Sequence, residues 1–393
     1  MPWSETSAMD QRIAFIQDVK RGNLSKSELC LRYGISRKTG YKWLERYAAQ
    51  GWAGLEDRSH AADRVHNATG EEVINELLAV RLEHPSWGAK KALKVVSDRR
   101  PELELPARST VCDIFHRLGL AERRPQRRKP GHPGRPPSLD AATPNACWSA
   151  DHKGPFKTGD GLYCFPLTVT DNESRCLLCC QAQPAISTEA AKQVFEALFR
   201  EFGLPERIRT DNGAPFASTG LSRLSKLAAW WIRLDVQPEL IEPGQPQQNG
   251  RHERMHRTLK EETTRPPQKN LAAQQRRFDA FVSEFNNERP HEALDMDTPA
   301  QHYHRSARQM PDKLPPLEYP GHFEKRLVGS NGCMRWHKGH VTVSAALTGD
   351  WIGLEPVDDA EWDVYYGHFR VGRLHEKVMQ IEDRYGRVNH GSV

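Results

Sequence analysis

Apolar residues recur at helical spacing along the first third of the chain. Ile13, Ile16 and Val19 share one face of residues 10–20. Ser25-Lys26-Ser27-Glu28 has the form of a capping box, so a helix to Tyr33 should follow. Gly34 makes a turn, Ser36 can cap the next helix, and Trp43 and Leu44 supply core positions as far as about Tyr47. Two short helices about a glycine turn predict a helix-turn-helix. After a connector at 51–67 a second trihelical unit is expected. Its first helix, 71–83, carries Val73, Ile74, Leu77 and Leu78. Its second, 89–98, is opened by Pro85-Ser86-Trp87-Gly88. Its third, 107–118, is stopped by Gly119.

Near Asn145 the period changes. Strand-like runs cover 147–156, 163–170 and 175–182, with turns at Gly159-Asp160-Gly161 and Asp171-Asn172-Glu173, which predicts an antiparallel meander. A helix over 188–202 places Ala191, Val194, Phe195, Leu198 and Phe199 on one side. Arg207-Ile208-Arg209-Thr210 reads as a short strand stopped by Asn212-Gly213. Helices are expected over 247–262 and 271–287, and Trp230 and Trp231 are read as packing residues. Short strands between Gly, Asp and Asn over 323–376 predict a small β-barrel, and the polar end, 380–393, should be loose. The domain plan is therefore a helix-turn-helix domain at 1–60, a second at 61–120, a linker at 121–144 and an α/β core at 145–305. A further linker at 306–322, a barrel at 323–380 and a tail at 381–393 complete it.

Composition narrows the function. At 393 residues the chain can hold several domains, and with no signal pattern and no long apolar run it is expected to be soluble, intracellular and free of membrane. The net charge of +5 is modest, but residues 121–139 concentrate the same excess: Arg123, Arg124, Arg127, Arg128, Lys129 and Arg135 against Glu122. This proline-rich stretch suits a phosphate backbone, or serves as a solubilising tether. Arg37, Lys38, Tyr41 and Lys42 would line the exposed side of the second helix of the first unit, where a major-groove reader makes its contacts; an ordinary solvated basic face is the alternative. Arg108, Lys90 and Lys91 are further candidate contacts. Of eight cysteines, Cys164, Cys176, Cys179 and Cys180 cluster; Cys176-x-x-Cys179 invites a zinc reading, but its apolar setting favours packing.

Three carboxylates carry the candidate chemistry. Asp151 sits in an extended run, Asp211 ends a strand, and Glu253 lies on a helix where Arg257 and Lys260 share its face. Converging carboxylates can hold two divalent ions about 4 Å apart, which suits in-line phosphoryl displacement. Three unrelated surface acids would give the same spacing. His252 and His256 flank Glu253, either orienting substrate or simply exposed.

Asp211-Asn212-Gly213-x-Pro215-Phe216 and Pro246-Gln-x-Asn-Gly-x-x-Glu253-x-Met255-x-x-x-Leu259-Lys260 resemble the catalytic core of retroviral-type integrases. They resemble more closely the bacterial insertion-sequence transposases with an integrase core, especially the group numbered four-eight-one. The run from Phe285 through Asn286-Asn287-Glu288-Arg289-Pro290-His291 to Leu294, with Thr298-Pro299-Ala300, and Gly34-Ile35-Ser36-Arg37-x-x-x-Tyr41-Lys42-Trp43 match that group too. The resemblance covers about residues 1–303. It implies a ribonuclease-H-like core, an SH3-like barrel after it, and a DDE site of Asp151, Asp211 and Glu253 holding two Mg²⁺ or Mn²⁺ ions. It also implies a transposase that binds the inverted-repeat ends of a mobile element and joins them to target DNA as at least a dimer. Glu253 follows Asp211 by 42 residues, longer than is usual in the retroviral members; the helical-looking residues 221–234 are read as an insertion. A nuclease of the same fold that only cleaves, and a DNA-binding regulator with a silent core, are the alternatives.

Overall fold

A computed structural model describes residues 7–57, 68–122, 143–242 and 245–388. The candidate DNA contacts Arg123, Arg124, Arg127, Arg128, Lys129 and Arg135 lie outside the described residues. The chain divides into two compact units, 1–69 and 70–393. The first holds α1 (Ala8–Arg21), α2 (Lys26–Arg32) and α3 (Arg37–Gln50). Ser7 and Ser25 form capping boxes with Asp10 and Glu28, and the Ser36 side chain accepts from Thr39 N. Phe15, Ile16, Leu29, Cys30, Trp43 and Leu55 form the core. Gly40 lets α2 and α3 close: a Cβ there would lie 2.5 Å from Cys30 Sγ. Arg37, Lys38, Tyr41 and Lys42 are all exposed on α3.

The second unit opens with α4 (Glu71–Glu83), α5 (Ala89–Arg99) and α6 (Arg108–Arg117), packed about Leu77, Val80, Trp87, Ala92, Val96 and Phe115. The central sheet follows: β1 (Trp148–His152), β4 (Leu167–Asp171), β5 (Leu177–Gln181), β6 (Arg207–Thr210) and β7 (Gln237–Leu240), in the order β5-β4-β1-β6-β7. The expected meander is interrupted at Pro155 and Pro166, which cannot donate to a ladder. The residues between them fold away as the hairpin of β2 (Phe156–Lys157) and β3 (Tyr163–Cys164). α7 (Thr188–Phe202) joins β5 to β6, and α8 (Lys226–Arg233) joins β6 to β7. α8 is therefore no insertion; parallel β6 and β7 require a crossover, and α8 supplies it. Trp231 packs edge-on to Phe195 at 4.9 Å and Trp230 stacks on Phe199 at 5.4 Å. On the other face lie α9 (Gly250–Thr263) and α10 (Leu271–Asn287), with Met255, Leu259, Phe278, Phe281 and Phe285 in a second cluster. The short α11 (Pro299–His302) completes the domain.

The clustered cysteines divide between these faces. Cys176 and Cys179 pack in one cluster, Cys164 and Cys180 in the other. Burial pushes the Cys176 and Cys179 thiols up to about 12.

The C-terminal strands are β8 (Glu324–Leu327), β9 (Cys333–Trp336), β10 (Gly339–Thr342), β11 (Trp351–Asp358), β12 (Glu361–Tyr366), β13 (Phe369–His375) and β14 (Gln380–Glu382). They form an antiparallel sheet, β14-β13-β12-β11-β8, and a hairpin, β9–β10. The expected closed barrel is not observed. A single bridge, Val328 to Met334, joins hairpin to sheet in place of a ladder. Apolar residues of the hairpin, the sheet and α8 lie in one continuous cluster, so the sheet buries its face without closing on itself. Residues 380–388 are less loose than expected: Ile381 is 1% exposed, and Glu382 bridges to Val388; residues 389–393 lie outside the described residues. No helix among the described residues is long and apolar enough to cross a membrane.

Arg289, 5% exposed, ties the helical module at 70–122 to the central domain. It is paired with Glu262 and Glu284 and lies over the Trp87 ring, which His84 stacks at 3.7 Å. Lys90 and Lys91, candidate DNA contacts, lie beside this docking surface. Lys90 Nζ bonds Glu292 at 2.7 Å, and burial, with Arg289 nearby, pushes Lys91 down to about 8. Arg289→Ala should lose about 3–5 kcal/mol in urea unfolding, because it leaves two carboxylates facing an emptied pocket. Lys90→Ala, which breaks an exposed pair, should change stability little.

Candidate active site

The two aspartates come from neighbouring strands. β1 and β6 are parallel, with Ala150 paired to Thr210, so Asp151 and Asp211 leave the same end of the sheet side by side. Ala150 is buried in the α7–α8 cluster, and the pleat alternation turns Asp151 to the opposite side, toward α9. Asp211 Oδ1 accepts from Gly213 N at 3.1 Å in the turn predicted there. Glu253 occupies the first turn of α9, where the helix dipole favours negative charge, and it is exposed, as are Arg257 and Lys260.

The acids share one electrostatic field. The Asp151 carboxyl is pushed up to about 7, first by burial, then by the charges of Asp211 and Glu253; Lys153 opposes them. An all-oxygen donor set whose charges repel one another fits a hard divalent cation, which would cancel that repulsion. The other nearby acids are used structurally. Asp160 accepts from Thr158 Oγ1 at 2.6 Å, and buried Asp171 accepts from Asn145 N and Ser174 N, both at 2.8 Å.

His252 and His256 are buried rather than exposed. A helical projection would have put them with Met255 and Leu259 on the inward face of α9. His252 Nε2 and His256 Nε2 meet Thr168 Oγ1 at 2.8 and 2.6 Å, and Thr170 Oγ1 meets His252 Nδ1 at 2.9 Å. Thr168 Oγ1 donates to the Asp151 backbone oxygen at 3.0 Å. This bracket binds α9, with Glu253, to β4, the strand beside Asp151. Burial pushes His256 down to about 3, with Lys153 adding to it, and holds His252 well below the usual histidine range. Among the described residues, ligand atoms of Asp151, His252 and His256 lie within 4.8 Å of one another. On the far side, Asn212 Nδ2 donates to Ile241 O at 2.9 Å while its Oδ1 accepts from Arg223. Ser222 and Arg223, both at positive φ, are held by Asp383, which accepts from Ser222 N at 2.9 Å.

Models of the integrase core domain match residues 141–246 and 234–299. A helix-turn-helix model matches 11–63 and a homeodomain-like model 39–115. An uncharacterized protein of insertion element IS407 from Burkholderia multivorans is 25% identical over 234 residues, 58% of this chain and 80% of that protein. The chain carries an integrase-type core and helix-turn-helix modules and is similar to an insertion-element protein. Solved structures similar to this integrase-core protein include the HTLV-2 integrase catalytic core domain in complex with magnesium. It is 15% identical with a TM-score of 0.34, covering 42% of this chain and 100% of that one. The simian T-cell lymphotropic virus intasome in complex with PP2A regulatory subunit B56 gamma is 17% identical with a TM-score of 0.36, covering 75% and 97%.

The state of Asp151 sets a pH dependence. Its folded pKa lies above the ordinary 3.8, so folding disfavours the ionised form. This penalty is absent at pH below 3.8, grows as pH rises, and is complete above about 7. Asp151→Asn should therefore raise the thermal unfolding midpoint, measured in chelator, more at pH about 8 than at pH about 4.

Proposed function

We propose that the protein is a DNA transposase that binds the inverted-repeat ends of a mobile element, cleaves them and joins the 3′-hydroxyl ends to target DNA. The common field of Asp151, Asp211 and Glu253 in an integrase-type core supports this reading most directly. These three residues would hold two Mg²⁺ or Mn²⁺ ions. Such a pair supplies activation of the attacking oxygen and stabilisation of the leaving oxygen.

The chain does the rest by placement. Asp151 lies on β1, Asp211 directly follows the paired strand β6, and Glu253 is on a helix bonded to the neighbouring β4, so the three carboxylates keep their spacing as substrate enters. Arg257 and Lys260, exposed on the same helix, bind the phosphate backbone and align the strand. Water first attacks the phosphodiester at the element end, and the bond to the 3′ oxygen breaks, leaving a hydroxyl. That hydroxyl then attacks a target phosphodiester in line, displacing a target 3′ oxygen, with no bond from protein to DNA. Arg37, Lys38, Tyr41 and Lys42 read the element end in the major groove. Arg108 and the basic residues Arg123, Arg124, Arg127, Arg128 and Lys129 follow the backbone. Joining two ends requires at least a dimer, because each site acts on one strand end at a time.

Labelled element ends and a target plasmid, incubated with Mg²⁺ or Mn²⁺, test the reading. Wild type should yield joined product; Glu253→Gln should bind the ends but yield none. Equal activity of the two would remove Glu253 from the site. Cleavage without joining by wild type would make the protein a nuclease.

A further inference from the structure

The Thr168 bracket fixes the tautomer of His256. The Thr168 hydroxyl has one proton and donates it to the Asp151 backbone oxygen, so the two imidazole nitrogens at Thr168 Oγ1 must both be donors. His256 therefore carries its proton on Nε2 and a lone pair on Nδ1. His252 is used at both nitrogens, since its Nδ1 meets Thr170 Oγ1. His256 Nδ1 instead faces Asp151 Oδ2 at 3.7 Å, beyond hydrogen-bond length. Among the described residues no hydrogen bond reaches it, although the side chain is only 10% exposed.

We propose that His256 Nδ1 and Asp151 Oδ2 ligate the same divalent cation, so that one of the two ion positions is a mixed nitrogen–oxygen site. This rests on the carboxylate reading given above and adds to it a ligand outside the three acids. Two ligand atoms about 2.1 Å from a shared ion stand about 3–4 Å apart when they are not opposite one another, and the observed separation falls in that range. A metal-bound imidazole characteristically has its other nitrogen anchored by a hydrogen bond, and Thr168 provides the anchor. Glu253 and His256 are three residues apart on α9, so one helix would bring both a carboxylate and an imidazole to the site. An imidazole ligand favours Mn²⁺ over Mg²⁺. His252 is then a positioning residue that holds Thr168, and through it His256, in place.

Pulsed electron paramagnetic resonance on the full chain loaded with Mn²⁺, without DNA, tests this directly. Wild type should show the coupling of a directly bound ¹⁴N, and His256→Asn should lose it while Mn²⁺ affinity falls about tenfold or more. Mg²⁺ affinity should fall much less. His252→Gln should keep the nitrogen coupling. A wild-type spectrum with no bound nitrogen would overturn the proposal even if His256→Asn failed to fold, and so would a coupling that survives in a folded His256→Asn. If Mn²⁺ binds, is lost in Asp151→Asn and shows no nitrogen, the carboxylate reading stands and only the imidazole ligand fails. Mn²⁺ binding that ignores Asp151→Asn would instead overturn the carboxylate reading, and this proposal with it.

Discussion

The mixed pairing of β1 constrains everything around the site. One edge of the strand is antiparallel to β4 and the other parallel to β6. The antiparallel edge brings Thr168 opposite Asp151, which places a hydroxyl against the Asp151 backbone oxygen. The parallel edge brings Asp211 alongside, but a parallel neighbour cannot be reached by a tight turn. The chain must pass over the sheet through α7, and again through α8 to reach β7. Those crossovers cover one face of the sheet and leave the other for α9 and α10. The pairing of a single buried strand thus fixes which side of the sheet holds chemistry and which holds packing.

Glu253 comes from outside the sheet, and its position depends on how α9 is seated. Met255 and Leu259 supply apolar contact, which is non-directional and would tolerate some rotation or sliding of the helix. The hydrogen bonds between the pair His252 and His256 and the pair Thr168 and Thr170 are directional and fix the register. Buried polar contacts of this kind specify one arrangement among several that hydrophobic packing alone would allow.

Much of this was legible in the sequence because the informative residues are local. Asp211-Asn212-Gly213 is a strand end and turn within three positions, and Glu253 sits in a helix with its own periodicity. The order of strands and helices in the core followed from hydrophobic period and turn residues, except for β7, a four-residue strand that was not expected. What escaped depends on long-range partners. Pro155 and Pro166 were visible, yet their effect on the meander shows only once the ladder is drawn. Residues 221–234 read as helix correctly, but their role as a crossover depends on which strands they connect. The two histidines share the inward face of α9 with Met255 and Leu259, but the threonines that satisfy their ring nitrogens lie on β4, more than 80 positions earlier. Closure of a barrel and looseness of residues 380–388 rest on strand length and polarity, and neither local property reports what a sheet packs against.

The continuous apolar core from α8 into the C-terminal sheet bears on how chains of this kind can be recombined. A linear plan would place a seam in the proline-rich segment at 306–322. Yet Ile232 of the central domain and Val364 and Tyr366 of the C-terminal sheet belong to one cluster, and Asp383 holds the loop whose Arg223 reaches Asn212, next to Asp211. A C-terminal domain exchanged between relatives at that seam would bring a surface shaped to a different α8. Exchange of a C-terminal cassette at this junction therefore carries the cost of repacking α8 against the incoming sheet.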